Sequence, residues 1–332
     1  MAQAFAAIVL VVITPLFAEF LLGNFTLAQL GTLVFLIPMY GSGAVFIREI
    51  TRHTERGWPT ILILGIAYGL LEEGFGDFSI FNPNFIGHRF LDYGYIPVLG
   101  IGAPWTIWVL VLHAVWSIAT PIALVEAMFP RRASEPWLGR IATGMVGVLL
   151  IAGVGSVSMT FIQQDHFVPS PIQLGVTLAL ILLLGFLAFR LFPRRDHPAQ
   201  PHPGEVPGPW IVGAAAFLAG SAFWLVYQFA EIELMAPPIF SIVAYLAVTL
   251  GSLICFFALS ARSGWSSGHT FALTCGSVLT YCWYGFVNVY QRYGAQGLAG
   301  HSVFAVFFLM LLILSRPQNA PLPLGRGRGR AA

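Results

Sequence analysis

The chain has few charged residues and no lysine. Of its 332 residues, 9% are charged and 57% are hydrophobic, whereas about 25% of the residues in an ordinary soluble domain carry a charge. So few charges cannot cover a water-facing surface, which excludes a soluble globular enzyme, and the apolar content excludes disorder. Without lysine, neither a Schiff-base lysine nor a phosphate-loop lysine is available. What remains is an integral membrane protein.

Cysteine is scarce as well. The three cysteines, Cys255, Cys275 and Cys282, lie in apolar runs without the paired spacing of metal ligands. Neither a disulfide framework nor a zinc knuckle is therefore expected. An internal repeat is also lacking, which lowers the expectation of an inverted-repeat transporter.

Long apolar runs make up most of the sequence. A helical span needs about 20 largely apolar residues, and ten stretches qualify. Their approximate bounds are 3–22, 28–47, 59–79, 104–128, 141–162, 172–192, 210–230, 239–260, 266–290 and 298–315. We therefore predict an all-α polytopic bundle of about ten transmembrane helices.

The arginines predict the orientation of this bundle. If the N-terminus is cytoplasmic, 14 arginines fall on cytoplasmic segments and only Arg89 and Arg292 on external ones. Cytoplasmic loops are the ones enriched in arginine. We therefore expect both termini in the cytoplasm and a multi-pass protein in the lipid bilayer of a bacterial plasma membrane.

Composition divides the chain into two groups of spans. Residues 1–192 form a six-span half and residues 210–315 a four-span half, joined by a proline-rich cytoplasmic linker at 193–209. Residues 316–332 form a cytoplasmic tail rich in arginine, glycine and proline. Attraction to anionic headgroups accounts for such a tail, so we expect no nucleic-acid partner.

The third and fourth predicted spans carry polar groups at membrane depth, where charges are expensive and usually functional. Glu72 lies about 20 Å from the cytoplasmic end of its span, and His113 lies roughly 14 Å from the external end of the next. Glu73 and Asp77 share a helix face, and Ser117 is one turn from His113. A carboxylate pair and an imidazole at one depth suit a metal-activated water or a proton relay.

Other polar residues are predicted to reach the same side of the membrane. In the ninth span, Tyr284 and Asn288 share one helical stripe, and the aromatic external loop at 80–104 contains Asn84. We take these three residues, with Ser117, as candidate substrate-binding groups. A belt of interfacial tyrosines is the alternative for Tyr284.

Four charged residues near span ends are weaker candidates for a functional role. We expect Glu19 and Glu126 at the membrane interfaces, and we interpret Arg48 and Arg52 as part of a solvated helix face.

The pair Glu72–Glu73, followed 40 residues after Glu73 by His113, resembles two motifs of the CAAX-protease and bacteriocin-processing family of intramembrane metalloproteases. The resemblance implies that Glu72 is the base that activates a water, supported by Glu73, and that His113 is a ligand of a divalent metal such as zinc. Asp77 is the second candidate ligand. The rest of the chain resembles an uncharacterised bacterial family of multispan membrane proteins.

The sequence departs from the protease pattern at three points. Asp77 stands where the family has arginine, Val109 stands where it has phenylalanine, and no His-x-x-x-Asn or Asp follows His113 in the later spans. Asn288 is a partial substitute at best.

Three functions therefore stay open. The first is a membrane-embedded, metal-dependent hydrolase acting on a membrane-bound peptide or a small molecule. The second is a proton- or cation-coupled transporter, for which the buried acids and the glycine-broken third span would form the binding site. In the third, the protein is not catalytic and the acids only hold helices together.

Overall fold

A computed structural model describes residues 2–192, 202–233 and 236–316. Within these residues the chain forms ten long helices and one small hairpin. The helices are α1 (Ala2–Pro15, continued by Leu16–Leu21), α2 (Leu27–His53), α3 (Trp58–Leu71, continued by Glu72–Gly76), α4 (Ala103–Met128), α5 (Arg140–Asp165), α6 (Pro171–Arg190), α7 (Pro209–Leu225, continued by Val226–Glu233), α8 (Pro238–Ser260), α9 (Ser267–Tyr293) and α10 (Ala295–Leu314). The hairpin pairs β1 (Tyr95–Ile96) with β2 (Ile101–Gly102).

Eight of these helices are long and apolar enough to cross a membrane: α1, α2, α4, α5, α6, α7, α8 and α10. The other two helices, α3 and α9, coincide with predicted spans, but polar residues interrupt their apolar sequences. The prediction of a largely helical membrane bundle is confirmed, while the count of ten spans and the orientation stay predictions. Most of the predicted linker (193–201) and of the tail (317–332) lies outside the described residues.

Helices α3 and α4 pack closely because glycines remove the side chains between them. A Cβ at Gly65 would lie 2.8 Å from the Cα of Ala114, and a Cβ at Gly69 would lie 3.2 Å from the Cβ of His113. Only glycine therefore fits at this approach. The close packing brings the end of α3 beside the middle of α4.

One end of the bundle contains a buried set of ion pairs that we call the arginine cluster: Arg48, Glu49, Arg52 and Glu126. All four residues are buried. Arg52 binds both carboxylate oxygens of Glu126 at 2.8 Å, and the Nε of Arg48 donates to Glu126 at 3.1 Å. The prediction of a solvated face for the arginines is therefore wrong, whereas the interfacial depth predicted for Glu126 stays a prediction.

The segment after α4 completes the arginine cluster. The guanidinium of Arg48 lies 3.2 Å from the ring centroid of Trp137 and donates to the carbonyls of Ala133 and Glu135, both at 3.0 Å. The carboxylate of Glu49 accepts the backbone N–H groups of Trp137 and Leu138 at 2.8 Å. Each charge is thus paired with an opposite charge, and Arg48, Glu49 and Arg52 also bind backbone groups, which is how buried charges are stabilised.

The opposite end, which we call the loop end, is covered by the segment between α3 and α4. The rings of Phe90 and Trp105 stack there at a centroid distance of 4.2 Å, and Trp105 stacks on Trp108 at 5.1 Å. Asp165 ties the same segment to α5, because its carboxylate accepts the side-chain amide of Asn82 at 2.8 Å.

Candidate functional site

The candidate site is built where four helices widen from α to π geometry. The π-helical segments are Leu16–Leu21, Ile37–Gly41, Glu72–Gly76 and His113–Ala119. They carry, respectively, Glu19, Tyr40, the pair Glu72–Glu73 and His113, which we call the acid–histidine cluster. A π-helical segment is usually a single-turn insertion within an α-helix, and such insertions are frequent at functional sites.

His113 lies between the two glutamates of α3. Its Nε2 is 2.6 Å from Oε1 of Glu73. Its Nδ1 is 2.9 Å from Oε2 of Glu72 and also 3.0 Å from Oγ of Ser117, with which it forms a hydrogen bond. All four side chains are buried. The structure therefore brings together Glu72, Glu73, His113 and Ser117.

Tyr40 connects this group to α1. Its hydroxyl binds Oε1 of Glu72 and lies 2.5 Å from Oε1 of Glu19. Glu19, predicted to be an interfacial residue, has a partly buried side chain whose carboxylate faces Tyr40, and its depth in the membrane stays a prediction. Neither Tyr40 nor the location of Glu19 could be found from periodicity, because the contact joins residues 21 positions apart on different helices.

A hydroxyl between two carboxyl groups constrains the number of protons. The hydroxyl of Tyr40 has one hydrogen and can donate to only one of its two neighbours. For both contacts to be hydrogen bonds, either Glu19 or Glu72 must carry a proton and donate it to the tyrosine oxygen. This geometry is therefore compatible with a proton that is exchanged between the two carboxyl groups through the hydroxyl of Tyr40.

The cluster continues past Glu73 to the start of the covering segment. The hydroxyl of Ser79 donates to Oε2 of Glu73, and the indole N–H of Trp105 donates to Ser79 at 3.2 Å. Asp77 accepts the backbone N–H of Ser79 at 2.9 Å. Asp77 thus positions the serine that binds Glu73. Ser79 is the last residue of the predicted third span and carries no sequence signal of its own.

In the other direction the contacts reach the loop end. Oε2 of Glu19 accepts the amide of Asn24 at 2.9 Å, and the amide of Asn288 donates to Asn24 at 3.1 Å. The exposed Arg292 donates to Asn288 at 3.1 Å. Asn288 therefore belongs to the same polar chain as Glu72, although Asn24, Glu19 and Tyr40 separate it from the acid pair.

Two predicted site residues have other surroundings. The ring of Tyr284 packs against the rings of Trp224 and Trp283, at centroid distances of 4.2 and 5.5 Å. Asn84 is exposed in the covering segment, where its backbone N–H binds the side chain of Asn82 at 3.0 Å. Their assignment as substrate-binding groups stays a prediction.

The side chains of the cluster do not form the donor set that a metal ion needs. Among the described residues, no group of three or more His, Cys, Asp or Glu side chains is arranged to hold a metal. The two ring nitrogens of His113 face different carboxylates, and Asp77 binds a backbone amide. These groups therefore bind one another and do not point to a common centre, and the predicted zinc remains a prediction.

A family profile described as an uncharacterized membrane protein family matches residues 8–316. No curated protein and no solved structure gives a significant match to the chain. Nothing in these comparisons connects the chain with the CAAX proteases that its glutamate pair resembles. The helical bundle and the family match agree, and the chain belongs to this uncharacterised family of integral membrane proteins.

Proposed function

We propose that this protein is a proton-coupled membrane transporter in which the acid–histidine cluster binds and releases the coupling protons. A single observation carries the proposal. Five groups that can gain or lose a proton follow one another at hydrogen-bond distances inside the bundle: Glu19, Tyr40, Glu72, His113 and Glu73. Chains of acids and histidines at membrane depth are the usual proton relays of transporters and pumps.

Each part of the chain has a separate task in this proposal. Glu19 is the entry point for protons, held by Asn24 on the side nearest the loop end. Tyr40 passes a proton between Glu19 and Glu72 by exchanging the hydrogen it donates. His113 exchanges protons with either glutamate through its two ring nitrogens, and Ser117 holds Nδ1 at 3.0 Å when Glu72 does not.

The test is proton movement in reconstituted vesicles. Wild-type protein would be placed in liposomes that contain a pH-sensitive dye, and a potassium gradient with valinomycin would drive protons inward. We expect the wild type to give a dye response in the presence of a panel of small organic solutes. Glu73→Gln and His113→Gln should abolish this response. The glutamine side chains keep a polar group in place while they remove the titratable one.

The matched control is Glu205→Gln, which removes an exposed carboxylate outside the cluster. This variant should behave like the wild type. Proton movement that is unchanged in Glu73→Gln and His113→Gln, in protein that remains monodisperse, would contradict the proposal.

A metal-dependent hydrolase is the second candidate. The convergence of Glu72, Glu73 and His113 favours it, because these are the residues that the metalloprotease resemblance implies. Elemental analysis of wild-type protein beside His113→Ala separates the two functions. Stoichiometric zinc that is lost in the variant supports the hydrolase, and cleavage of membrane-bound peptides would then be assayed.

If the acids only hold helices together, the same experiments give a third pattern. Glu72→Gln and Glu73→Gln would lower the thermal stability of the protein, and neither proton movement nor metal content would depend on them.

A further inference from the structure

A large cleft lies away from the acid–histidine cluster, between α4, α7, α8 and α9. It has a volume of about 620 Å³ and is lined by 29 residues, none of them charged. The cleft begins near Trp58, Pro207 and Trp265, at the end of the bundle that holds the arginine cluster. It extends inward to Trp116, which is buried, and to Phe223.

The cleft exists because α8 leaves its neighbours along part of its length. Near the loop end, α8 is anchored by Ser241, whose hydroxyl is 3.0 Å from the Tyr93 hydroxyl, and by Tyr245, whose ring is 4.9 Å from that of Phe223. Farther along the helix, a Cβ at Gly251 would have no atom within 4 Å. Facing this gap, α7 presents alanine at Ala215, where a larger side chain would fill the space.

The surroundings of the cleft are apolar on every side that faces the membrane. Residues next to its lining are exposed and apolar, as for Leu218 and Ile254, whose exposed fractions are 65% and 68%. In a bilayer these side chains contact hydrocarbon, so lipid chains can enter the cleft. They meet no charged side chain in its lining.

A positively charged residue, Arg262, lies at the mouth of the cleft. Arg262 follows the lining residue Leu259, precedes the lining residue Trp265, and is exposed. Its guanidinium donates to the backbone carbonyl of Glu205 at 2.8 Å, and within the described residues it forms no ion pair with a carboxylate. Arginine binds phosphate through several N–H donors, and anionic headgroups attract such residues at the membrane surface.

We infer that the cleft is a binding site for one anionic phospholipid, with an acyl chain between α7 and α8 and the phosphate on Arg262. The apolar lining accounts for the chain, and the unpaired arginine at the mouth accounts for the headgroup. This inference does not depend on what the acid–histidine cluster does.

The test uses phospholipids with brominated chains, which quench tryptophan fluorescence on contact. Trp116 is 4% exposed and lines the cleft, so a lipid can reach it only by entering. Brominated phosphatidylglycerol should quench, saturably, the part of the fluorescence that Trp116→Phe removes. Half-maximal quenching by brominated phosphatidylcholine should require about tenfold more lipid, because one charge-assisted contact is lost. The same increase is expected when brominated phosphatidylglycerol is added to Arg262→Gln.

A pair of glycine variants separates the cleft from the general lipid surface. Gly251→Leu places a side chain in the cleft, whereas Gly155→Leu places the same side chain on α5, where a Cβ would also have no atom within 4 Å. We expect quenching of Trp116 to disappear in Gly251→Leu and to persist in Gly155→Leu. Retained quenching in Gly251→Leu, loss in both variants, or equal binding of the two lipids by the wild type would overturn the inference.

Discussion

The two buried polar clusters of this protein are built on different principles. In the arginine cluster, two arginines and two glutamates balance in charge, and the carboxylate of Glu126 is bound by both guanidinium groups. The acid–histidine cluster has three carboxyl groups beside one histidine and one tyrosine, with no arginine among its contacts in the described residues. The first cluster is neutral when all its groups are charged, whereas the second is neutral only when protons are bound.

The helix geometry differs in the same way. Arg48, Glu49 and Arg52 lie on a regular α-helical segment, Ser42–His53, whereas every titratable member of the acid–histidine cluster lies on a π-helical one. Regular helix with complete pairing fits a structural role. A π-helical segment whose carboxyl groups outnumber the nearby positive charges fits a site that gains and loses protons. The comparison therefore predicts a structural role for the arginine cluster and is consistent with the activity proposed for the acid–histidine cluster.

The largest effect expected from this comparison is on the free energy of unfolding of Arg48→Met. The substitution leaves the buried Glu49 without its guanidinium partner, and breaking a buried ion pair from one side costs about 3–5 kcal/mol. Thermal unfolding in detergent, followed by loss of the monodisperse peak in size-exclusion chromatography, measures the change. Arg132→Gln is the control, because it removes an ion pair with Glu135 whose side chains are about half exposed, and such pairs contribute little.

A smaller loss is expected when α3 and α4 are pushed apart. In Gly65→Ala the new Cβ would lie 2.8 Å from the Cα of Ala114, and overpacking of this kind costs about 1–3 kcal/mol. The same displacement should weaken the contact of Glu73 with His113, so proton movement should fall together with stability. Gly144→Ala on α5 is the matched control, because its Cβ would have no atom within 4 Å. An unchanged unfolding temperature in Gly65→Ala would show that these helices are not in close contact.

Part of this arrangement could be predicted from the sequence. Apolar runs of sufficient length locate most of the helices, and the depths of Glu72 and His113 on successive antiparallel spans place them at one level. Contact between them then depends only on α3 and α4 being neighbours, which their consecutive order in the chain favours.

The rest depends on contacts between distant segments. The spacing of Arg48 and Arg52 is the same on a solvated helix face and in a buried ion network, and only the packing of Glu126 and Trp137 against them separates the two cases. Glu19 likewise lies near the end of an apolar run, where an interfacial carboxylate is common. Its contact with the hydroxyl of Tyr40 has no sequence signal, because the sequence does not distinguish this tyrosine from any other.

Tyr40→Phe is expected to lower the free energy of unfolding by about 1–3 kcal/mol, because it leaves buried polar groups without one partner. Its effect on proton movement should be complete, because Glu19 and Glu72 share no contact other than the hydroxyl of this residue in the proposed path. The dye assay in liposomes measures this loss. Tyr293→Phe removes a hydroxyl that binds the carbonyl of Asn24 at the same end, and it should leave proton movement intact. Equal flux in Tyr40→Phe and wild type would place the proton path elsewhere.

The smallest change in the free energy of unfolding is expected for Glu72→Gln. Its comparison with Glu126→Gln tests the difference between the two clusters most directly. A glutamine at position 72 can donate to the oxygen of Tyr40 while that hydroxyl donates to Glu19, so a neutral side chain satisfies the hydrogen bonds there, and the cost should stay within about 1 kcal/mol. Glutamine at position 126 leaves Arg48 and Arg52 without the carboxylate that both bind, so the cost should approach that of Arg48→Met, about 3–5 kcal/mol. Both variants make the same chemical change, and thermal unfolding of the two in one detergent compares them directly. Equal losses would mean that Glu72 is charged and structurally paired like Glu126, and the acid–histidine cluster would then lack the bound proton on which its proposed activity depends.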